Sequence, residues 1–328
     1  MANKKVYEVI TDKVVTRIKN AIDNKESFSW VKPWKGYPTG NFSKYISNPD
    51  KFTEYRGINR LLLDGGLYIT MKQLNELEKK DKKTYKIKKG SHKETIYFYK
   101  PRLVEVKDEN GEVLVDDDGE PITRRFMIIR FYNVFNIADI EGLDDYAIPE
   151  IDTEYDENKL TKKADKIIKL FAKRDGVVIK NKKGIDKAYY QPSTHTVTVP
   201  YKSQFASIEE YYSTVFHELT HSTSKNLNRE LGNKFGTEKY SFEELVAELG
   251  ALFLMQTVGF DTSKTEINST AYLKGWLKKL KDDTSMIVKA SNKAQQALDY
   301  IMDVKFEDTT TNTTEVEIVE DDEEVIFA

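Results

Sequence analysis

Val215-Phe216-His217-Glu218-Leu219-Thr220-His221 places two histidines four residues apart, with a glutamate after the first. On a helix, residues at that spacing stand one above the other on the same face, so both imidazoles can hold one ion. Glu218 can then face a water bound to that ion, the arrangement used by zinc hydrolases. The flanks read as a helix: Ile208, Tyr211, Val215 and Leu219 form an apolar face, and Ser207 and Glu210 have the spacing of a capping box. The chain has four histidines, and two of them fall at this spacing, which argues against a chance match in an amphipathic helix.

Two histidines do not complete a zinc site; a third protein ligand and an open water position are needed. Downstream, Phe242-Glu243-Glu244-Leu245-Val246-Ala247-Glu248-Leu249 opens an apolar helix that carries three carboxylates. Glu244 and Glu248 are four apart and share a face. A helix with Leu245, Val246, Leu249, Leu252 and Phe253 must be largely buried, and buried carboxylates need partners or a metal. Glu244 is therefore read as the third ligand, with Glu243 competing for that role. Glu248 is read as the acceptor that fixes a histidine tautomer. Glu243 otherwise suits an exposed outer face. The expected ion is one divalent cation, Zn²⁺ first. In that reading the ion acidifies a bound water, and Glu218 takes its proton and delivers it to a leaving amine. Tyr240, Tyr189, Tyr190 and His195 remain open as oxyanion stabilisers. An edge strand at Thr196–Val199 would align an extended peptide beside the site.

At 328 residues the chain has room for two domains. It is 32% charged and 39% hydrophobic and has no apolar run long enough to span a bilayer. The absence of cysteine excludes disulfides, thiolate ligands and a cysteine nucleophile. The Met1–Lys5 start continues into an amphipathic segment rather than a signal core, so a cytoplasmic location is expected.

The net charge of −3 hides an asymmetry. Residues 1–136 hold 27 Lys+Arg against 19 Asp+Glu, which is +8, and the remainder is −11. Eight of those acids lie in residues 104–123, and without that stretch the N-terminal body is +15. Such a domain suits an anionic partner, nucleic acid first. Residues 28–45 interleave Phe28, Trp30, Trp34, Tyr37, Phe42 and Tyr45 with Lys32, Lys35 and Lys44. Bases stack on aromatic rings while lysines follow phosphates, a mixture suited to single-stranded DNA. Trp34, Tyr55, Arg56, Asn59, Arg60, Lys88 and Lys89 are the candidate contacts.

Taken in order, residues 3–24 read as an amphipathic helix, followed by short helices near 55–63 and 70–80. A strand at 95–100 continues over 103–106 and another returns at 124–135, around a hairpin excursion at 107–123 marked by Asn110-Gly111 and Asp118-Gly119. The second half reads as a helix at 157–174, three short strands, the His-Glu-x-x-His helix, and helices near 241–257, 269–281 and 284–304. The fold class is α+β. A DNA-binding domain is expected over 1–143 and a linker over 144–156. A metallopeptidase-like domain, helical with a small sheet, then spans 157–306. Residues 307–328 hold nine acids and no base, and form an expected disordered tail.

The chain resembles the ArdC-type antirestriction proteins of plasmids, integrative elements and phages. In the first half the resemblance rests on Pro33-Trp34, Tyr55-Arg56-Gly57-Ile58-Asn59, Thr70-x-x-Gln73, Lys89-Gly90 and Val134-Phe135-Asn136. In the second it rests on His217–His221, Glu243–Glu248 and Ala271-Tyr272-x-x-x-Trp276-Leu277. It implies a single-stranded-DNA-binding N-terminal domain, a zincin-like metallopeptidase C-terminal domain, and protection of incoming DNA from host restriction. A protein substrate or a host restriction component is the further partner implied. Tyr68, Asp139 and His195 depart from the family pattern, which has Trp, Gln and Asp there. His195 thereby leaves a spare imidazole near the metal.

Overall fold

The computed structural model describes residues 2–24, 39–49, 54–116, 119–143, 145–146, 156–231, 238–262, 265, 270–305 and 318–320. Ala2–Asn24 forms α1, whose stripe of Val6, Ile10, Val14, Val15 and Ile18 is buried. Gly40–Asn41 (β1) leads into Phe42–Ser47 (α2), capped by the Asn41 side chain. Ile58–Leu62 (α3) and Leu67–Thr70 (β2) follow. Met71–Asp81 (α4) opens on a capping box in which Thr70 and Gln73 satisfy each other's free N–H groups. Lys86–Ile87 (β3), Glu94–Glu105 (β4), Thr123–Asn136 (β5) and Ile140–Glu141 (β6) complete this half.

β4 and β5 form one long antiparallel hairpin, in register from Glu94↔Val134 to Glu105↔Thr123. The strand at 95–100 continues over 103–106, and β4 runs unbroken through Pro101. Among the described residues β4 pairs only with β5, and an edge position tolerates a residue without an N–H. The acidic excursion beyond it is held by two bridges, Lys107↔Val113 and Val115↔Pro121. Their turns use Gly111 and Gly119 at φ 86° and 83°.

In the second half, Glu157–Asp175 (α5) ends on Gly176 in the left-handed region. Val178–Lys182 (β7), Tyr189–Gln191 (β8) and Thr196–Pro200 (β9) form a sheet in the order β7-β9-β8. This corrects the expectation for Thr196–Val199: β9 is the buried centre of the sheet, and the strand beside the site is β8, at an edge. Ile208–Ser222 (α6), Glu238–Val258 (α7), Thr270–Asp282 (α8) and Met286–Met302 (α9) follow.

A single hydrophobic cluster runs through both halves, joining α1, α3 and the inner face of the hairpin to α6, α7 and α9. Thr11 Oγ1 donates to the Thr284 carbonyl at 2.6 Å, tying α1 to the turn before α9. Residues 147–155 of the expected linker lie outside the described residues. In the acidic tail, the described residues Ile318–Glu320 form a short strand (β10) parallel to β5. No described helix is long and apolar enough to cross a membrane.

Candidate metal centre

α6 begins where the Ser207 hydroxyl accepts the Glu210 N–H, one half of the anticipated capping box. Val215, Phe216 and Leu219 anchor it in the core, which turns His217 and His221 toward α7. The two rings meet edge to face, centroids 4.8 Å apart, with their Nε2 atoms 3.1 Å from each other. Glu244 on α7 reaches between them, one oxygen 3.7 Å from His217 Nε2 and the other 3.6 Å from His221 Nε2. Ligand atoms of His217, His221 and Glu244 all lie within 4.8 Å of one another.

The far side of each ring faces a carboxylate. Glu248 lies 3.6 Å from His217 Nδ1, and Glu243 lies 3.2 Å from His221 Nδ1. Those partners favour a proton on each Nδ1, which leaves the two Nε2 lone pairs facing each other. Such a contact is repulsive unless a cation or a proton sits between them. Two nitrogens about 2.1 Å from a tetrahedral zinc would be about 3.4 Å apart, close to the separation here. The donor set therefore fits a divalent ion.

Glu243 departs from the sequence reading. It is 1% exposed rather than on an outer face, because α7 is enclosed nearly all round. The Arg229 guanidinium grips it with two bonds of 3.1 Å, and Arg229 also donates to the Thr220 carbonyl at 2.7 Å. Burial pushes the Glu243 carboxyl up, but the His221 and Arg229 donors outweigh it and hold it below the usual range. Arg229 carried no signal in the sequence, since it lies in the irregular segment after α6.

Burial pushes the Glu218 carboxyl above its ordinary range, with the two histidines and the Tyr190 backbone N–H opposing. Burial pulls His217 down, yet the carboxylates of Glu248, Glu218 and Glu244 prevail and push it up to about 9 in the metal-free protein. Of the four candidate oxyanion stabilisers, Tyr240 has its phenol on Glu244. Tyr190 and His195 are tied elsewhere: the Tyr190 hydroxyl meets His195 Nδ1 at 2.9 Å, and His195 Nε2 meets Asp175 at 2.9 Å. Tyr189 is exposed. His195 is thus a link between Tyr190 and Asp175 rather than a spare ligand.

The residues proposed to touch DNA are distributed differently. Trp30, Trp34 and Tyr37 lie outside the described residues. Lys88 and Lys89 are exposed, and Lys88 Nζ donates to the Ala138 carbonyl at 2.8 Å. Tyr55, Asn59 and Arg60 are buried, and their assignment as contacts is corrected accordingly. Asn59 pairs with the Tyr97 backbone through both its amide nitrogen and oxygen, at 2.7 and 2.8 Å. Arg60 bonds Glu54 at 2.6 Å and donates to the Phe253 carbonyl of α7 at 3.3 Å. Arg56 pairs with Asp299 of α9, and the Gly57 N–H donates to Gln295 at 3.0 Å. Gly57 has φ 55°, a conformation that favours glycine and that lets α3 approach α9. This segment seats one half of the protein on the other.

Comparison with known proteins follows the same division. Residues 4–135 match the N-terminal domain of anti-restriction factor ArdC, and residues 165–293 match a zincin-like metallopeptidase family. Two Escherichia coli proteins named DNA primase TraC are 28% and 26% identical to this chain over 91% and 95% of its length. The chain spans only 20% and 28% of those relatives. The uncharacterized protein y4eC of Sinorhizobium fredii is 26% identical, over 90% of this chain and 91% of its own. The antirestriction ArdC protein from the R388 plasmid, in its metal-free crystal structure, superposes with a TM-score of 0.58 at 28% identity, covering 90% of this chain and 96% of that one. Its Mn(II)-bound structure gives 0.59 at 25% identity, covering 92% and 99%.

Proposed function

This chain belongs to the ArdC-type antirestriction proteins, with an ArdC N-terminal domain ahead of a zincin-like domain, and from that premise we propose a function in two parts. The N-terminal half binds single-stranded DNA entering a bacterial cell on a mobile element and protects it from restriction. The second half holds one divalent ion, Zn²⁺ or a substitute such as Mn²⁺, on His217, His221 and Glu244. One observation carries the metal assignment: two Nε2 atoms 3.1 Å apart with a carboxylate across both, each ring held from behind by a second carboxylate.

When bound, the ion would supply Lewis acidity toward a water or a carbonyl. The chain's own residues supply the rest. Glu218, raised by burial, is suited to take a proton near neutral pH and return it to a leaving amine. Glu248 and Glu243 hold the imidazoles in the tautomer that presents Nε2. Tyr240, on the first turn of α7 with its phenol on the ligand Glu244, is the candidate to donate to a developing oxyanion. Among the described residues β8 is an edge strand, and its Tyr190 N–H meets Glu218.

The alternative within this reading is a true protease that cuts a host or element-encoded protein and uses DNA for localisation. Glu218→Gln separates the two. The variant should retain its metal, because Glu218 is not a ligand, and should lose any peptidase activity. If restriction protection survives in Glu218→Gln, antirestriction does not depend on hydrolysis; if it is lost while metal and DNA binding remain, the protease reading holds. Loss of the metal in this variant would refute the ligand set.

A further inference from the structure

The DNA-binding reading above leaves its contact surface unassigned, since Tyr55, Asn59 and Arg60 are buried. Resting on that reading, we infer that the outward face of the β4–β5 hairpin, with Phe98 and Tyr132 at its centre, is the platform on which bases of single-stranded DNA stack.

Side chains alternate across a strand, and residues directly opposite in a pair share a face. The register Ile96↔Tyr132 and Phe98↔Arg130 therefore puts Ile96, Phe98, Arg130, Tyr132 and Val134 on one side of the hairpin. The inner end of that side is closed: Ile96 and Val134 are buried with Tyr55, Leu63 and Tyr68. The outer end is open, with Phe98 43% and Tyr132 41% exposed. The opposite side is pinned to the main core through Tyr97 and Ile129. The two open rings thus stand on a strand pair that is fixed from behind.

The rings are also ordered among themselves. Centroids run from Tyr68 to Tyr55 at 6.3 Å, from Tyr55 to Phe98 at 6.4 Å, and from Phe98 to Tyr132 at 5.9 Å, as one aromatic row that emerges from the interior. Rings held this way lose little freedom when a base settles on them. This gives Tyr55 a different role from direct contact: it is the buried floor that positions Phe98.

Charge identifies the occupant. By the same register Arg130 stands directly opposite Phe98 on this face, and residues 1–136 as a whole carry a net charge of +8. A polyanion with flat, unpaired π-faces fits aromatic rings on the sheet of a basic domain. Duplex DNA fits poorly, because its bases are already stacked on one another.

The test uses the full chain and a fluorescein-labelled oligothymidylate read by anisotropy. Phe98→Ala and Tyr132→Ala should each weaken binding by roughly 5- to 140-fold, the range expected when one stacking ring is lost. Phe98→Leu keeps an apolar side chain but no π-face, and should fall as far as Phe98→Ala. Phe98→Trp should keep affinity, and its added emission should quench when the oligonucleotide binds. Thermal melts establish that each variant is folded, and the Trp variant decides the matter if an alanine variant is not. If the wild type fails to bind the oligonucleotide, both the DNA reading and the platform fall. If the wild type binds and the folded double alanine variant binds within twofold of it, the platform alone is wrong. Equal losses toward oligothymidylate and polyglutamate would show a general docking surface for anions and would overturn the stacking assignment.

Discussion

Gly250 lies where α7 crosses α6, and adding one methyl group there tests how the metal centre is assembled. A Cβ at this position would come 2.5 Å from Thr220 Oγ1, 2.6 Å from its Cγ2 and 3.0 Å from its Cβ. Thr220 cannot swing aside: it is fully buried, and its hydroxyl donates to the Phe216 carbonyl at 2.8 Å. Carbon contacts need about 3.5–4.0 Å, so the helices must part by about 1 Å. Alanine regains about 1 kcal/mol of helix propensity over glycine, while overpacking costs about 1–3 kcal/mol. The net loss of stability is thus about 0–2 kcal/mol, and stability alone is a weak readout. Metal affinity is the sharper one. His217 and His221 flank Thr220 on α6, while Glu244 and Glu248 precede Gly250 on α7, and metal–ligand distances tolerate only about 0.2 Å. Gly250→Ala should weaken metal binding by on the order of tenfold or more in a chelator competition titration. Thr220→Ala in the same chain removes the two nearest atoms and should restore most of the affinity. Native affinity in the single variant, or no rescue in the double, would refute the proposed role of the helix crossing.

Three further outcomes follow from the structure. Metal-free His217 sits at about 9, so at pH 7 it carries a proton that a bound metal must displace. Calorimetry in buffers of different ionisation enthalpy should detect release of about one proton per metal, with affinity rising about tenfold per pH unit toward 9. The raised value also means that this histidine stabilises the metal-free fold fully below its ordinary pKa near 6.5 and less as pH rises through about 9. A metal-free melting temperature that climbs over that interval would contradict the charge arrangement. Arg60→Met should cost about 1.5–3 kcal/mol in urea unfolding, the worth of hydrogen bonds to a charged group, yet leave the salt dependence of DNA binding unchanged; a flattened salt slope would return Arg60 to the DNA surface.

How much could be read from the sequence depended on whether a residue's role was local. The His-Glu-x-x-His spacing, the Glu244 and Glu248 positions and the helix periods are properties of one helix at a time, and the structure brings these residues to one place. Glu243 misled because its partner, Arg229, comes from an irregular segment with no pattern of its own. The Tyr55–Arg60 segment misled for a similar reason. Aromatic and cationic side chains that suit DNA equally suit a buried contact between two halves of a chain, and only burial separates the two.

That segment bears on how the two activities can be taken apart. α7 presents Glu243, Glu244 and Glu248 to the histidines near its start, and farther along it offers the Phe253 carbonyl to Arg60. The element that completes the candidate metal site is therefore also the seat of the N-terminal half. α1 covers the same continuous core with Val6, Ile10, Val14, Val15 and Ile18. Removing the N-terminal half would uncover that apolar surface and strip Asp299 of Arg56 and Gln295 of the Gly57 N–H. A deletion would therefore confound loss of DNA binding with damage to the metal site. Point changes at Phe98 and Tyr132 on one side, and at Glu218 on the other, lie outside that shared seat and separate DNA binding from metal chemistry without disturbing it.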